Sequence, residues 1–291
     1  MMAIYTQNAE WVCTETSERV TEFTAQVTKS PSTFRILALT DLHWDSAHCK
    51  LDLLKSHLDE ALEYNIPVII IGDLYDVMQG RYDPRADQNT LRPEHRGNCY
   101  FDAIIDTSIE WFRPYAKILA LISPGNHEGA VMKRQQINLI DKFCQGMQMA
   151  GSNVISAPDW GYILIKMKHR RTVDTKRLFY QHGYGGGGEI TRGLIDHSRT
   201  RSQWDADVFV SGHIHRRNID ENIIVRCSAR GNVTQDQQLF IRCGSYKDET
   251  HDAWHISKGR GARPVGGWYI NFTGKWGQGD LGVTVSAEPT A

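Results

Sequence analysis

The sequence predicts an α/β protein built on two β-sheets. Between residues 34 and 150, apolar runs typical of buried strands alternate with segments in which apolar residues recur at helical spacing. This order is typical of parallel strands that are joined by helical crossovers. After residue 150, short strand candidates follow one another with little helical pattern between them. The second half of the chain therefore favours a separate sheet, either mixed or antiparallel.

The first half of the chain alternates between strand and helix. The run FRILALTD at 34–41 is predicted to be a buried strand, and LDLLKSHLDEALEY at 51–64 a helix. The polar segment 78–98 contains two prolines and has no periodic pattern, which indicates a long loop. The remaining elements of this half are predicted as a strand at 66–73, a helix at 101–112, a strand at 116–126 and a helix at 131–147.

The rest of the chain is predicted to complete one domain. We expect residues 34–291 to form this single domain, because no long linker rich in Ser, Gly or Pro divides them. Residues 1–33 are predicted to form an N-terminal arm or edge strands, and we expect the last dozen residues to fray in part. The strand candidates of the second half lie at 162–167, 177–181, 207–211, 222–226, 238–242 and 267–272.

Composition and charge exclude few functions. The formal net charge is −1, so nothing global indicates a nucleic-acid coat or a membrane surface, although a local basic patch would suffice for a nucleic acid. The six cysteines form no CxxC pair, and the N-terminus lacks the pattern of a signal peptide. No apolar run approaches the length of a membrane span. We therefore expect a cytoplasmic protein without membrane association, and the sequence leaves its oligomeric state open.

Side chains that can bind a metal follow five of the predicted strands. Each one alone has an ordinary interpretation, because Asp after a strand is often a turn or capping residue and a lone His is often buried or on the surface. Those roles do not explain why all five fall at strand ends, where open α/β sheets bind their ligands. We therefore interpret them together as a metal site. The segments are TDLHWD (Asp41, His43), GDLYD (Asp73, Asp76), PGNHE (Asn126, His127), YQHG (His182) and SGHIH (His213, His215).

This ordered series resembles the calcineurin-like metallophosphoesterase superfamily. The blocks Asp-x-His, Gly-Asp-x-x-Asp, Gly-Asn-His-Glu, His-Gly and Gly-His-x-His are all intact between residues 41 and 215. The resemblance implies a four-layer sandwich, in which two mixed β-sheets lie face to face and are flanked by helices. That architecture agrees with the order of strands and helices predicted above.

The resemblance also implies two divalent metal ions. Two ions about 3.5–4 Å apart can clamp the attacking and leaving oxygens of a displacement, and a bridging carboxylate reduces their mutual repulsion. A shell of His and carboxylate without thiolate favours Mn, Fe, Zn or Ni, and we expect Mn²⁺ in assays. The implied ligands are Asp41, His43 and His215 for the first ion, Asn126, His182 and His213 for the second, and Asp73 as the bridge.

Three further residues are predicted to take part in the chemistry. In the family, the histidine of Gly-Asn-His-Glu faces the phosphate, so the resemblance implies that His127 protonates the leaving oxygen or stabilises its charge. Metal lowers the pKa of bound water from about 15.7 to about 7, so no separate protein base is required. Asp76 is predicted to support the site, with a helix-capping role as the alternative. Glu128 is predicted to orient His127.

Departures from the family blocks indicate the substrate. Protein phosphatases continue Gly-Asp-x-x-Asp with Arg-Gly, whereas Val77 and Met78 follow here. Lipid A pyrophosphohydrolases usually carry Arg at the position of His127. The sequence is therefore most similar to the DNA-repair exonuclease branch, although the strands predicted after residue 215 indicate its catalytic domain only. We predict a phosphodiesterase or nuclease that acts on nucleic acid or a nucleotide.

Two loops are predicted to contact the phosphoester. The loop at 78–98 contains Arg81 and Arg85, whose guanidinium groups suit phosphate, although a solvated loop with self-paired charges is an equal alternative. The segment HGYGGGGEITRG contains Tyr184, Gly185 and Arg192, and its glycines would let the backbone approach a substrate closely.

Two other functions stay open. A phosphomonoesterase of the same fold, acting on a protein or a small molecule, would use the same metal site. A non-catalytic interaction module would keep the fold but lose ligands, and none of the expected ligands is missing here.

Overall fold

Two mixed β-sheets pack face to face between layers of α-helix, which confirms the predicted fold class. The structure is a computed structural model. It describes residues 8–79, 86–186, 188, 190–251, 256–257, 259, 261–276 and 281–291.

The six-stranded sheet contains the parallel strands that were predicted in the first half of the chain. Its central strands β3, β4 and β5 are parallel neighbours, so their carboxyl ends lie along one edge of the sheet. Strands β12 and β13 extend the sheet beside β3 in antiparallel pairing. In spatial order, the sheet consists of β13 (Leu281–Pro289), β12 (Trp268–Trp276), β3 (Ser32–Leu39), β4 (Val68–Ile71), β5 (Leu119–Ser123) and β6 (Ile155–Ser156).

The seven-stranded sheet combines the N-terminal hairpin with strands from the second half of the chain. The hairpin lies at one edge, and its second strand pairs in parallel with β7. Strands β8, β9 and β11 are parallel to one another. In spatial order, the sheet consists of β1 (Glu10–Ser17), β2 (Val20–Gln26), β7 (Trp160–His169), β8 (Thr172–Gln181), β9 (Val208–Ser211), β11 (Val233–Arg242) and β10 (Asn218–Cys227).

Alternation along β3 separates the two larger of three apolar cores. On β3, Phe34 and Ile36 face the other sheet, whereas Leu37 and Leu39 face the helices. Each fully buried side chain of this size stabilises the fold by about 1.5–3 kcal/mol. The core between the sheets therefore fixes how the two strand edges lie relative to each other.

Helices cover the outer faces of both sheets. Helices α1, α2 and α4 pack on the six-stranded sheet, and α5 lies on the seven-stranded sheet, where His197 stacks on Phe240. The longest described helices have 13 residues, and none in that part of the chain combines the length and the apolar character of a membrane span. The helices are α1 (Leu51–Glu63), α2 (Tyr100–Phe112), α3 (Asn126–Gln135), α4 (Leu139–Met149) and α5 (Leu194–Gln203).

Three elements differ from the sequence-based expectation. The helix predicted at 131–147 is interrupted, because Gln136 adopts a left-handed conformation and Asn138 caps α4 by accepting a hydrogen bond from the Asp141 backbone N–H. In the C-terminal stretch that we expected to fray in part, Leu281–Pro289 form β13, which pairs with β12. Helix α5 was not predicted, because it buries only His197 and Thr200 and so has no apolar period.

Candidate metal centre

The five segments that carry candidate ligands meet where the strand ends of the two facing sheets lie side by side. The parallel strands β3, β4 and β5 end on the same side, and so do β8 and β9. The six-stranded sheet supplies carboxylates, one amide and one imidazole, whereas the seven-stranded sheet supplies three imidazoles. The residues are Asp41 and His43 after β3, Asp73 after β4, Asn126 after β5, His182 after β8, and His213 and His215 after β9.

Most of the candidate ligands occupy unusual backbone conformations. Five of the seven have a positive φ, which few residues other than glycine adopt. Such conformations cost on the order of 1–3 kcal/mol each and concentrate at functional sites. The five residues are Asp41 (φ 51°), His43 (46°), Asp73 (51°), His213 (70°) and His215 (53°).

Two glycines allow the strand ends of opposite sheets to approach. A Cβ on Gly72 would lie 2.2 Å from Nδ1 of His182, and the φ of Gly72 is +79°. A Cβ on Gly212 would lie 2.3 Å from Oδ2 of Asp41. Any larger residue at either position would displace a candidate ligand, which explains why glycine precedes both Asp73 and His213.

Asp41, His43 and His215 form the first group of candidate ligands. Their ligand atoms all lie within 4.8 Å of one another. Nε2 of His215 lies 3.3 Å from Oδ1 of Asp41 and 3.2 Å from Nε2 of His43. The side chain of Asp41 is fully buried. Its carboxylate also accepts a hydrogen bond of 2.9 Å from the backbone N–H of His213, which ties the two sheets together.

Asp41, Asp73 and His182 form the second group, again within 4.8 Å. Nε2 of His182 lies 3.1 Å from Oδ2 of Asp73 and 3.7 Å from Oδ1 of Asp41. Asn126 and His213 lie together, with the amide oxygen 2.8 Å from Nδ1 of the imidazole. Asp41 is thus the carboxylate common to both groups, and the bridging role of Asp73 stays a prediction.

The His182 imidazole fits a metal ligand. Its Nδ1–H donates a 3.0 Å hydrogen bond to the carbonyl oxygen of Ile71, which leaves Nε2 directed at the two carboxylates. Nε2 is buried close to those oxygens, yet no atom among the described residues completes a hydrogen bond with it. An imidazole nitrogen and carboxylate oxygens that face one buried space are suited to a cation between them.

Comparison with protein families agrees with this geometry. A family model of calcineurin-like phosphoesterases matches residues 34–217, which is more than half of the chain. The chain belongs to the calcineurin-like phosphoesterase family. No curated protein sequence matches it. Together, membership of this phosphoesterase family and the clustered His and Asp side chains support a metal-dependent phosphoesterase.

Solved structures similar to this calcineurin-like phosphoesterase have low sequence identity. A metallophosphoesterase from Sphaerobacter thermophilus is 15% identical with a TM-score of 0.36, and the match covers 82% of each chain. The vacuolar protein sorting 29 structure from Cryptosporidium parvum is 12% identical with a TM-score of 0.37. That match covers 90% of this chain and 100% of the other.

Opposite charges dominate the electrostatics of the phosphoesterase site. Burial lowers the pKa of His182, but the Asp73 and Asp41 carboxylates overcome this and raise it to about 10. Burial likewise lowers the pKa of His215, whereas Asp41 and Glu249 raise it to about 9. Burial raises the pKa of Asp41, but His182 and His215 lower it to about 2. The carboxylates therefore favour positive charge at this site. When no metal is bound, protons on the imidazoles supply that charge.

We expect metal binding to release protons. At pH 8, below the pKa values of His182 and His215, both imidazoles are positively charged and carry a proton on Nε2. That proton must leave before Nε2 can bind a cation. The affinity for Mn²⁺ should therefore rise with pH and level off above about pH 10, beyond both values. Calorimetric titration with Mn²⁺ in buffers of different ionisation enthalpy measures the number of protons released. A result of zero at pH 8 would contradict the assigned charge state.

The predicted catalytic residues lie beside the first group. Asp76 caps no described helix; instead its Oδ1 lies 2.9 Å from Nδ1 of His43 and 3.8 Å from Nδ1 of His127. The His127 imidazole bonds through Nδ1 to the backbone carbonyl oxygen of Asp76. Asp76 thus contacts both rings, and we expect it to orient them.

Glu128 contacts backbone groups rather than the ring that we expected it to orient. Its carboxylate accepts hydrogen bonds from the backbone N–H groups of Tyr75 (2.8 Å), Gly125 (2.9 Å) and Asp73 (3.2 Å). Burial and the nearby Asp73 carboxylate raise the pKa of Glu128 to about 7, although these N–H groups oppose the rise. The side chain therefore fixes the loop that carries Asp73 to the start of α3.

The predicted substrate-binding residues are not brought to the metal site by any described contact. Arg81 and Arg85 lie outside the described residues. Tyr184, Gly185 and Arg192 lie on an exposed segment between β8 and α5. Their role in substrate binding stays a prediction.

Three buried residues around the site were not predicted from the sequence. The Asp45 carboxylate accepts hydrogen bonds from the backbone N–H groups of Asp76 and Val77. Nζ of Lys247 lies 3.5 Å from both carboxylate oxygens of Asp76, and the Glu249 carboxylate lies 2.7 Å from Nδ1 of His215. Lys247 and Glu249 follow β11, a parallel neighbour of β9. Lys247 and Glu249 reach this edge because β11 runs parallel to β9. The sequence alone does not reveal the direction of β11.

A cleft of about 690 Å³ opens beside the second group of candidate ligands. It extends from Asn126 and His182 along α3 and past Trp160. Its described lining includes Asp141 and Asp159 but no Lys or Arg. The cleft is thus large enough for a substituent on the phosphate, and Arg19 pairs with Asp159 at its wall at 3.1 Å.

Proposed function

We propose that this metal-dependent phosphoesterase hydrolyses phosphodiesters, using two divalent ions held by the seven candidate ligands. The convergence of Asp41, Asp73 and His182 in one group and of Asp41, His43 and His215 in another carries the proposal. When bound, a pair of ions lowers the pKa of water and clamps the oxygens of an in-line displacement. Mn²⁺ is the ion that we propose for assays, because a His and carboxylate shell suits it.

In this proposal, His127 supplies a proton to the leaving oxygen. Its Nδ1 bonds to the Asp76 carbonyl oxygen, so Nε2 is the nitrogen available to a substrate. Burial lowers the pKa of His127, but the Asp73 and Asp76 carboxylates raise it above its ordinary value. The ring therefore keeps its proton on Nε2 to a higher pH than an ordinary histidine does, which suits a general acid.

The cleft beside Asn126 has room for part of a diester substrate. Each ester substituent on the phosphate needs its own space, and the cleft of about 690 Å³ accommodates one of the two that a diester carries. Asp159 in its lining pairs with Arg19 at 3.1 Å, so the charge of the cleft leaves both a nucleotide and a nucleic acid as candidate diesters.

Parallel assays with two aryl esters test the proposal. With Mn²⁺ present, we expect a higher kcat/KM for bis-p-nitrophenyl phosphate than for p-nitrophenyl phosphate. A clear preference for p-nitrophenyl phosphate would reject the diesterase in favour of a phosphomonoesterase. Absence of bound metal, together with no Mn²⁺-dependent turnover of either ester, would favour a non-catalytic interaction module.

A further inference from the structure

Residues 245–249 lie directly behind the first group of candidate ligands. The backbone N–H of Tyr246 donates a 3.0 Å hydrogen bond to the carbonyl oxygen of Asp41, and the Ser245 hydroxyl donates a 2.9 Å bond to the same oxygen. The segment is thereby fixed against the end of β3. From this segment, Glu249 reaches the candidate ligand His215, and Lys247 lies 3.5 Å from the Asp76 carboxylate.

Glu249 contacts a candidate ligand from this segment. Its Oε1 lies 2.7 Å from Nδ1 of His215, and its side chain is 6% exposed. Since the carboxylate accepts the Nδ1–H, the lone pair of the neutral imidazole must lie on Nε2. That nitrogen faces Asp41 and His43 at 3.3 and 3.2 Å. Glu249 therefore selects the tautomer that a metal needs.

The Glu249 carboxylate is itself held in place. Nε of Arg263 lies 3.8 Å from its Oε2, and the side chains of both residues are about 93–94% buried. Nη1 of Arg263 donates a 2.7 Å hydrogen bond to the carbonyl oxygen of Ile214, next to His215. The guanidinium thus places a positive charge beside Glu249 while it bonds to the backbone that carries His215.

The His182 imidazole of the second group has a neutral partner. Its Nδ1 bonds to the carbonyl oxygen of Ile71. A charged acceptor makes an imidazole a stronger electron donor than a neutral acceptor does. Of His182 and His215, His215 is therefore the ring strengthened by an outer carboxylate.

We propose that Glu249 is a positioning residue that makes the ion at Asp41, His43 and His215 bind more tightly than the ion at the second group. This inference rests on the proposed two-metal function, but it concerns the affinity of one site rather than the reaction. Loss of an outer partner of a ligating histidine lowers metal affinity by about 10–100-fold. The effect should fall on one ion of the pair.

The test is a stepwise Mn²⁺ titration of the full chain in competition with a fluorescent chelator. We expect Glu249→Ala to raise one of the two dissociation constants by about 10–100-fold and to leave the other within about twofold of its parent value. Glu249→Gln keeps an acceptor without the charge, so its effect should have the same direction and a smaller size. Electron paramagnetic resonance gives a second readout, because loss of one ion replaces the signal of a coupled Mn²⁺ pair by that of a single ion.

Glu22→Gln is the matched control, because Glu22 pairs with Lys166 between β2 and β7. It should leave both dissociation constants unchanged. If the parent binds two ions and neither Glu249 variant alters either constant, the role of Glu249 is overturned while the proposed function stands. Equal weakening of both ions, with a lower melting temperature of the metal-free protein, would also overturn it in favour of a structural role. If the parent binds no divalent ion, both proposals fail.

Discussion

Replacing Asp73 with asparagine is expected to cause the largest loss of activity of any single substitution. Oδ2 of Asp73 lies 3.1 Å from Nε2 of His182, and the proposed bridge would place this carboxylate on both ions. The loss should exceed the about 10–100-fold that removal of an outer partner costs, because a direct ligand charge is removed. Turnover of bis-p-nitrophenyl phosphate and the metal content of the purified protein measure the effect.

The Asp73→Asn variant is suited to this test because it changes charge with little effect on the backbone. Asparagine adopts positive φ more readily than most residues, so the 51° angle of Asp73 can persist. Asp106→Asn makes the same chemical change on the exposed face of α2, and we expect it to retain the parent rate. An Asp73→Asn protein with two bound ions and the parent kcat would contradict the bridging role.

Replacing His127 with glutamine is expected to lower kcat by about 10²–10⁴-fold while the metal content stays at the parent level. The protonated ring is the active form, so parent activity should fall as pH rises through the raised pKa of His127. In the variant, that alkaline decrease should disappear. Rates measured from pH 6 to 10 for both proteins give this comparison.

The leaving group distinguishes proton donation from a structural effect of the His127 substitution. An alkyl diester has a poor leaving group and should lose more rate in His127→Gln than an aryl diester, whose leaving oxygen needs less protonation. His169→Gln is the control, because that ring stacks on Trp276 at the end of β7. Should His127→Gln lose its metal, the assigned role would be wrong and the residue would belong to the ligand set.

The sequence predicted most reliably the strands that are buried along their whole length. The runs that became β4 and β5 are fully buried, so their apolar residues alone indicated central strands. Helix α5 was missed because its sequence LIDHSRTRSQ buries two polar residues and lacks an apolar stripe. The break between α3 and α4 depends on the left-handed conformation of one residue, Gln136. The spacing of apolar residues does not reveal such a conformation.

The candidate site was predictable to the extent that its residues follow strands in recognisable segments. Asp41, Asp73 and His182 come together because their strands end on one side, as the strand-end pattern indicated. Lys247 and Glu249 were missed because their contacts depend on which way β11 runs beside β9. Sequence periodicity shows that a strand exists, but pairing direction is set by tertiary packing.

The origin of the candidate ligands in two different sheets has a mechanical consequence. Asp41 and Asp73 extend from one sheet, whereas His182 and His215 extend from the other. A cation pair coordinated by both sets would cross-link the two sheets, in addition to the apolar core between them. Its binding free energy then adds to the free energy of unfolding, so a chelator would loosen the whole architecture as well as stop hydrolysis.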